Sequence, residues 1–278
     1  MDMPFIYMEI VLSGAGTIAP MHVGAMAAAT DNNVLATINI GTSAGAMVAA
    51  LKSLAMKDAD IKRVLLDANF SKLIPYNYPL ALFRKYLASN KNVIAWYKEI
   101  TNNKCMKDCS IPLITVTSDL TTQTAHHFDS RNPDLAHMPV WQAVIPSMSI
   151  PGIFPPFNGI YEDGGVTDNL AVNYLPQVHP GLALRITEAT TIGPVRGFID
   201  RMERTVGMTL TAAESDMVAI AALKKDVHVI ELPAGHVSFL DRTMSTSTKL
   251  ALYDKGYNIM SNYIQGLRKA GVPNASHY

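Results

Sequence analysis

Three short segments of the chain carry residue types and spacings that could do chemistry. Gly41-Thr42-Ser43-Ala44-Gly45 is a G-x-S-x-G pattern. On a sharp strand-to-helix turn such a serine is pushed out at the helix N-terminus, while the flanking Gly41 and Gly45 keep neighbouring side chains out of the turn. Ser43 is therefore a candidate nucleophile. Ser13-Gly14-Ala15-Gly16-Thr17 presents successive backbone N–H groups to an anion, either a bound phosphate or the oxyanion of an acyl-transfer intermediate. Tyr161-Glu162-Asp163-Gly164-Gly165 sets an acid before two glycines, which lets the chain turn tightly and project the Asp163 carboxylate into a cleft. Taken singly, each segment is also an ordinary small-residue turn.

Other chemistries fit these residues less well. A dinucleotide fingerprint needs a third glycine where Ala19 stands, and an acid at the end of the next strand, where Gly41 follows Ile38–Ile40. A Walker loop is excluded because no Gly-Lys-Ser/Thr follows the first glycines. A Ser, Asp, His triad in that chain order would draw on His179, His228, His236 or His277, with His236 in the loop from Pro233 to Val237 the best placed. His22, His126, His127 and His137 lack an i, i+4 pair with a nearby carboxylate and read as surface or hydrogen-bonded residues. Cys105 and Cys109 are too few for a disulfide framework or a zinc site and read as free thiols. No metal and no cofactor is expected.

The elements that must position these residues follow from apolar periodicity. Strands are expected at Glu9–Leu12, Thr37–Ile40, Ile111–Ser118, Leu182–Thr187 and Val227–Leu232. Helices are expected at Pro20–Asp31, Ala44–Ala55, Phe198–Leu223 (with a break allowed) and Ser247–Lys269, the last stopped by Gly271 and Pro273. This alternation predicts an α/β fold with a largely parallel sheet, and the glycine loop and G-x-S-x-G each sit between a strand and a helix. From Asn69 to Lys98 the chain holds seven aromatics, among them Phe70, Tyr76 and Trp96, with five basic residues and no acid. That composition suits a lipid interface, or the core of a helical insertion with its cations solvated.

Together these segments resemble the patatin-like phospholipase family, in which a glycine-rich oxyanion loop, a G-x-S-x-G elbow and a later Asp-Gly-Gly or Asp-Gly-Ala occur in this order. Thr117–Leu120, the approach AVIPSMSIPGIFPP at 143–156 and the turn Asn169–Tyr174 are similar too, and the resemblance fades after about residue 180, with Lys255-Gly256-Tyr257 a late echo. It implies a three-layer fold with a mostly parallel sheet between helices, one domain over 1–278, and a helical or interfacial insertion at 69–100. It also implies a lipid acyl hydrolase of phospholipase A or esterase type. Ser43 would attack the acyl carbonyl, Asp163 would take its proton and later activate water, and Gly14, Ala15 and Gly16 would form the oxyanion hole. Where relatives read Gly-Gly-Gly-x-Arg-Gly, this chain has Ile18 in place of the basic residue, which leaves neutral lipids and simple esters open beside phospholipids. At Ala15 a backbone compatible with a Cβ is expected. The alternatives are an α/β-hydrolase with a triad through His236, or a lipid-binding module without turnover.

Composition limits the partners. The 278 residues are 49% hydrophobic, with 23 basic and 23 acidic side chains, so a sizeable core is available and no global field draws the chain to nucleic acid. The expected partner is a lipid or phospholipid substrate, with local, peripheral membrane contact. The N-terminus lacks a basic n-region and no uninterrupted apolar run reaches spanning length, so a cytoplasmic chain with no signal peptide and no transmembrane segment is expected.

Overall fold

Short runs of Val, Ile and Leu become the strands of one seven-stranded sheet. The structure, a computed structural model, describes residues 4–189 and 193–270. In chain order it runs β1 (Ile6–Leu12), α1 (Pro20–Asp31), β2 (Val34–Thr42), α2 (Ala44–Ser53), α3 (Asp58–Asp67), α4 (Phe70–Leu73), α5 (Tyr78–Arg84) and α6 (Lys91–Ile100). Then come β3 (Leu113–Asp119), β4 (Thr124–Asp129), α7 (Val140–Ser147), β5 (Tyr161–Asp163), β6 (Gly181–Glu188), α8 (Gly197–Leu223), β7 (Val227–Gly235) and α9 (Thr246–Lys269).

The sheet order is β4-β3-β2-β1-β6-β7, parallel from β3 to β7, with β4 and β5 both antiparallel to β3. Alternate strand residues face opposite sides, and each side has its own apolar layer. Ile10, Leu12, Leu182 and Leu184 join a core with α1, α2 and α9, whereas Val11, Ile38, Ile40 and Val116 pack against Leu170–Val172 and Ala221 of α8. The three-layer α/β expectation therefore holds. Between β1 and β6 the strand order reverses direction along the sheet, and a crevice at the carboxyl ends of strands at such a switch point is where open α/β sheets bind ligands.

All five expected strands form; four are extended at one or both ends, and the one expected at Ile111–Ser118 starts later, at Leu113, and runs one residue further, to Asp119. The two that periodicity missed have reasons. β4 is a polar edge strand, and β5 has only three residues. Of the helices, α1 has the expected bounds, α2 stops at Ser53 rather than Ala55, and α8 runs unbroken. Helix α7 was hidden by Pro146, which lies inside its last turn. The expected stop at Gly271 and Pro273, and Met1 to Met3, lie outside the described residues.

The aromatic segment resolves mostly as core. Phe70 and Tyr97 are buried, Tyr76 and Trp96 pack against the main core, and Lys72, Arg84, Lys85, Lys91 and Lys98 are exposed, while Tyr78 and Phe83 remain outside. The late Lys255-Gly256-Tyr257 has a packing reason. A Cβ at Gly256 would strike the Met21 carbonyl, so the glycine lets α9 lie against α1. One stretch, Asp200–Leu223 of α8, is long and apolar enough to cross a membrane by length and composition. It is not an uninterrupted apolar run, since Glu214 and Asp216 break it and Asp200, Arg201, Glu203 and Arg204 charge its beginning. Its Val206, Glu214 and Ala221 are buried against the rest of the chain.

Candidate active site

Strand β3 acts as the ruler of the site. Thr42 at the end of β2 pairs with Val116, and the next β3 residue, Thr117, pairs with Asp163 of β5. At Ser43 the chain leaves the sheet for α2, and β5 takes up the edge of β3 one residue further on. In consequence Ser43 Oγ donates to Asp163 Oδ2 at 2.6 Å although 120 positions separate them.

Each partner is held independently. Ser43 has φ 54° and ψ −127°, a left-handed backbone that a non-glycine residue adopts at a cost of about 1–3 kcal/mol. Its N–H donates to Ser147 Oγ at 2.7 Å, and Ser147 in turn donates to the Val116 carbonyl, so α7 ties the elbow to β3. Gly45 is required by close approach, since a Cβ there would strike the carbonyls of Leu12 and Ser13. A Cβ at Gly41 would lie 2.5 Å from the Gly45 carbonyl. Asp163 Oδ1 accepts the Gly165 N–H at 2.8 Å, its own N–H donates to Ser149 O at 2.9 Å, and its carbonyl accepts from Ser118 Oγ at 2.8 Å.

The glycine loop crosses the same space. Gly14 N–H is committed to the Asn169 carbonyl at 3.2 Å and Thr17 N–H to the Phe239 carbonyl at 2.8 Å. Between them the amides of Ala15 and Gly16 make no hydrogen bond to any described residue. Of the three loop residues that the resemblance assigns to an oxyanion hole, Gly14 thus has its N–H engaged, while Ala15 and Gly16 do not among the described residues. Ala15 sits at φ −144°, which any residue adopts, as expected, and the left-handed turn falls on Gly16 at φ 50°. The loop is anchored at Ser13, whose N–H donates to Leu184 O and whose Oγ accepts from Ile186 N–H, both at 3.0 Å. Buried His22 donates from Nε2 to the Ser13 carbonyl at 2.9 Å; burial holds its pKa down to about 4, against that hydrogen bond, so it stays neutral.

Ser43 lies where two cavities meet, one of about 160 Å³ and one of about 60 Å³, which share Gly16, Ser43, Ile150 and Phe239. The larger carries the polar side chains Asp163, Asn169, Arg185, Glu188 and Glu214 in a wall that is otherwise mostly apolar, with Ile18, Ile186, Val206 and Leu210. The smaller is walled mainly by apolar side chains such as Met47, Phe70, Leu73, Trp96 and Phe154. Burial pushes Asp163 up from 3.8 to about 7, against the lowering pull of the Ser43 and Gly165 hydrogen bonds, with nearby Glu162 adding to the rise. Such a carboxylate is basic enough to take a hydroxyl proton near neutral pH, which an ordinary aspartate is not.

The structure thus brings together Ser43, Asp163 and the loop Gly14–Gly16. His236 is exposed and lines neither cavity, so no triad assembles through it. Among the described residues no three His, Cys, Asp or Glu side chains converge in a metal-binding group.

The family model described as patatin-like phospholipase matches residues 10–176, a stretch that holds the glycine loop, the elbow and Asp163. The chain belongs to the patatin-like phospholipase family. A patatin-like phospholipase domain-containing protein of Aspergillus terreus is 43% identical over 68 residues, 24% of this chain and 9% of that protein. The chain thus spans only a small part of the length of the curated relative it matches. Among solved structures, VipD of Legionella pneumophila superposes with a TM-score of 0.61 at 14% identity, covering 95% of this chain and 67% of that one. The type III effector protein ExoU, which is from Pseudomonas aeruginosa, does so at 0.52 and 12%, covering 95% and 53%. At these identities the two structures establish a shared fold and no more.

Within this patatin-like site several residues lie outside the three short motifs. Ser147 lay in the quoted approach to Asp163, where a serine before the Pro-rich run was the available clue. Asn169 opens the quoted turn and supplies the carbonyl that engages Gly14. Arg185 and Glu214 lie beyond the matched residues, and their ion pair joins a strand to a helix that no motif links.

Proposed function

We propose that this chain is a lipid acyl hydrolase working through a Ser43–Asp163 dyad, with residues 1–278 acting as one domain and the substrate a fatty-acyl ester. The observation that carries the reading is the 2.6 Å hydrogen bond from Ser43 Oγ to a buried Asp163, beside two amides that no described residue engages. In the first step Ser43 Oγ bonds to the acyl carbon, its proton passes to Asp163, and the carbonyl oxygen takes negative charge facing the Ala15 and Gly16 amides. The C–O bond to the alcohol then breaks and the alcohol leaves with that proton. In the second step Asp163 draws a proton from water, which attacks the acyl-enzyme and releases the acid and Ser43. Preorganised donors at such an oxyanion contribute about 10²–10³-fold each. Contact with a lipid surface would be local and peripheral.

The test is hydrolysis of p-nitrophenyl octanoate together with labelling by a fluorophosphonate. Wild type is expected to react with both, Ser43→Ala with neither, and Asp163→Asn to lose at least about 10³-fold in kcat/KM, while His236→Asn keeps full activity. Because Asp163 acts ionised, kcat/KM should climb as pH rises through about 7 and level off above it. An unlabelled wild type would favour a binding module, and an inactive but folded His236→Asn would favour a triad.

A further inference from the structure

Charge in the larger cavity distinguishes between classes of acyl ester. Among the described residues its lining includes the acids Asp163, Glu188 and Glu214 and the cation Arg185. That cation is ion-paired on two sides, although its buried Nε–H makes no well-aligned hydrogen bond. Its Nε lies 3.1 Å from Glu214 Oε2 and its Nη1 lies 3.0 Å from Glu231 Oε1, which reaches it from outside the cavity. Glu214 is almost wholly enclosed, with 6% of its side chain exposed, and burial raises its pKa against the pull of Arg185. A phosphate entering here would either compete for Arg185, leaving the buried Glu214 charge with only the Asn169 Nδ2 donor at 3.4 Å, or sit without a cation among carboxylates. Both are costly where water is excluded. Ile18, fully buried, lines the same wall where a further cation would have helped. On the other side of Ser43 the cavity is apolar. Among the described residues its cation is Arg242, which donates to the Ile74 carbonyl at 2.7 Å and stacks on the Tyr76 ring at 3.5 Å.

We infer that the apolar cavity takes the acyl chain and the larger cavity takes an uncharged alcohol, so that the substrate is a glyceride or simple alcohol ester rather than one whose alcohol bears a phosphate. The inference rests on the acyl hydrolase reading and refines it. Hydroxyls of a glycerol can donate to Glu214 and to Asn169 Oδ1 without disturbing the ion pair. Like charge brought against these groups lowers specificity for the phosphate ester by on the order of tenfold or more.

The matched pair 1-octanoylglycerol and 1-octanoylglycerol 3-phosphate, used below their aggregation concentrations, differs only in that charge. Wild type is expected to favour the uncharged ester at least tenfold in kcat/KM. Glu231→Gln, remote from the cavity, should narrow the ratio by releasing one hold on Arg185, and Glu214→Gln should narrow it further if thermal unfolding shows it folded. Equal or faster cleavage of the phosphate ester by wild type, or a ratio that neither variant moves, overturns the inference. Binding of both esters to Ser43→Ala by calorimetry separates the two claims. If Ser43→Ala prefers the uncharged ester but wild type turns over neither, the hydrolase reading fails and the charge preference stands. If wild type turns over both equally, the reverse holds.

Discussion

Two neighbouring junctions of the same sheet, from β1 into α1 and from β2 into α2, use small residues to opposite ends. The first is a seven-residue loop, Ser13–Ala19, whose positive φ falls on Gly16 and whose Ala15 and Gly16 amides bond to no described residue. The second turns at one strained residue, Ser43, braced by Ser147. One junction holds donors open by spreading the turn; the other aims a hydroxyl by compressing it. Gly45 is where they touch, its Cα lying against the Leu12 and Ser13 carbonyls. They differ in titration as well. Asp163 beside the elbow has a raised pKa, and His22 beneath the loop a lowered one, both through burial.

Breaking the contact between the junctions should have the largest effect. In Gly45→Ala the new Cβ meets two backbone carbonyls that cannot rotate away, so a stability loss of at least about 3 kcal/mol is expected in urea denaturation. An unchanged midpoint would mean that α2 slides freely off β1 and that the junctions are not coupled.

The titration contrast is next in size. Between 3.8 and about 7 the folded chain keeps a proton on Asp163 that the unfolded chain has lost, so this residue's contribution to stability is full below pH 3.8 and fades as pH rises to about 7. Asp163→Asn should therefore be more stable than wild type by about 2–3 kcal/mol at pH 8, and by progressively less toward pH 4. His22 runs the other way. As pH falls from 6.5 to about 4 the unfolded chain binds a proton that folded His22 does not, and stability declines. Denaturation curves of wild type and Asp163→Asn at pH 5 and 8 check the sign; a variant equally shifted at both would show that burial of charge is not the cause.

The smallest effect sharpens the backbone contrast. Ser43→Gly and Ser43→Ala both remove the hydroxyl, but only glycine relieves φ 54°, so the glycine variant should be more stable by about 1 kcal/mol. Ala15→Gly in the loop, at φ −144°, should gain nothing or lose a few tenths of a kcal/mol through unfolded-state entropy. If both glycine variants shift thermal unfolding alike, the elbow is no more strained than the loop.

Much of this was readable from the chain because the signals are local. Pro20 before an alanine-rich run marks α1 to the residue, the strands of the parallel sheet declare themselves as Val and Ile runs, and the glycines around Ser43 and Asp163 single those two out. β4 went unread because an edge strand with one exposed face needs little apolar pattern, and β5 because three residues are too few for any. The aromatic run could be an interface or a core on composition alone. Only the packing of Phe70 and Tyr97 decided for core.

By itself the sequence determined which backbones could turn and which side chains could react, since a turn depends on the few residues within it. The rest depended on pairing across long separations. The register of β3 set Asp163 against Ser43, Ser147 came from α7 to brace the elbow, and Asn169 closed one of three loop amides. Burial then raised Asp163 to a useful basicity, and the β6–α8 contact neutralised Arg185. Distance, exclusion of water and charge pairing belong to atoms far apart in the chain, so only the tertiary structure could decide them.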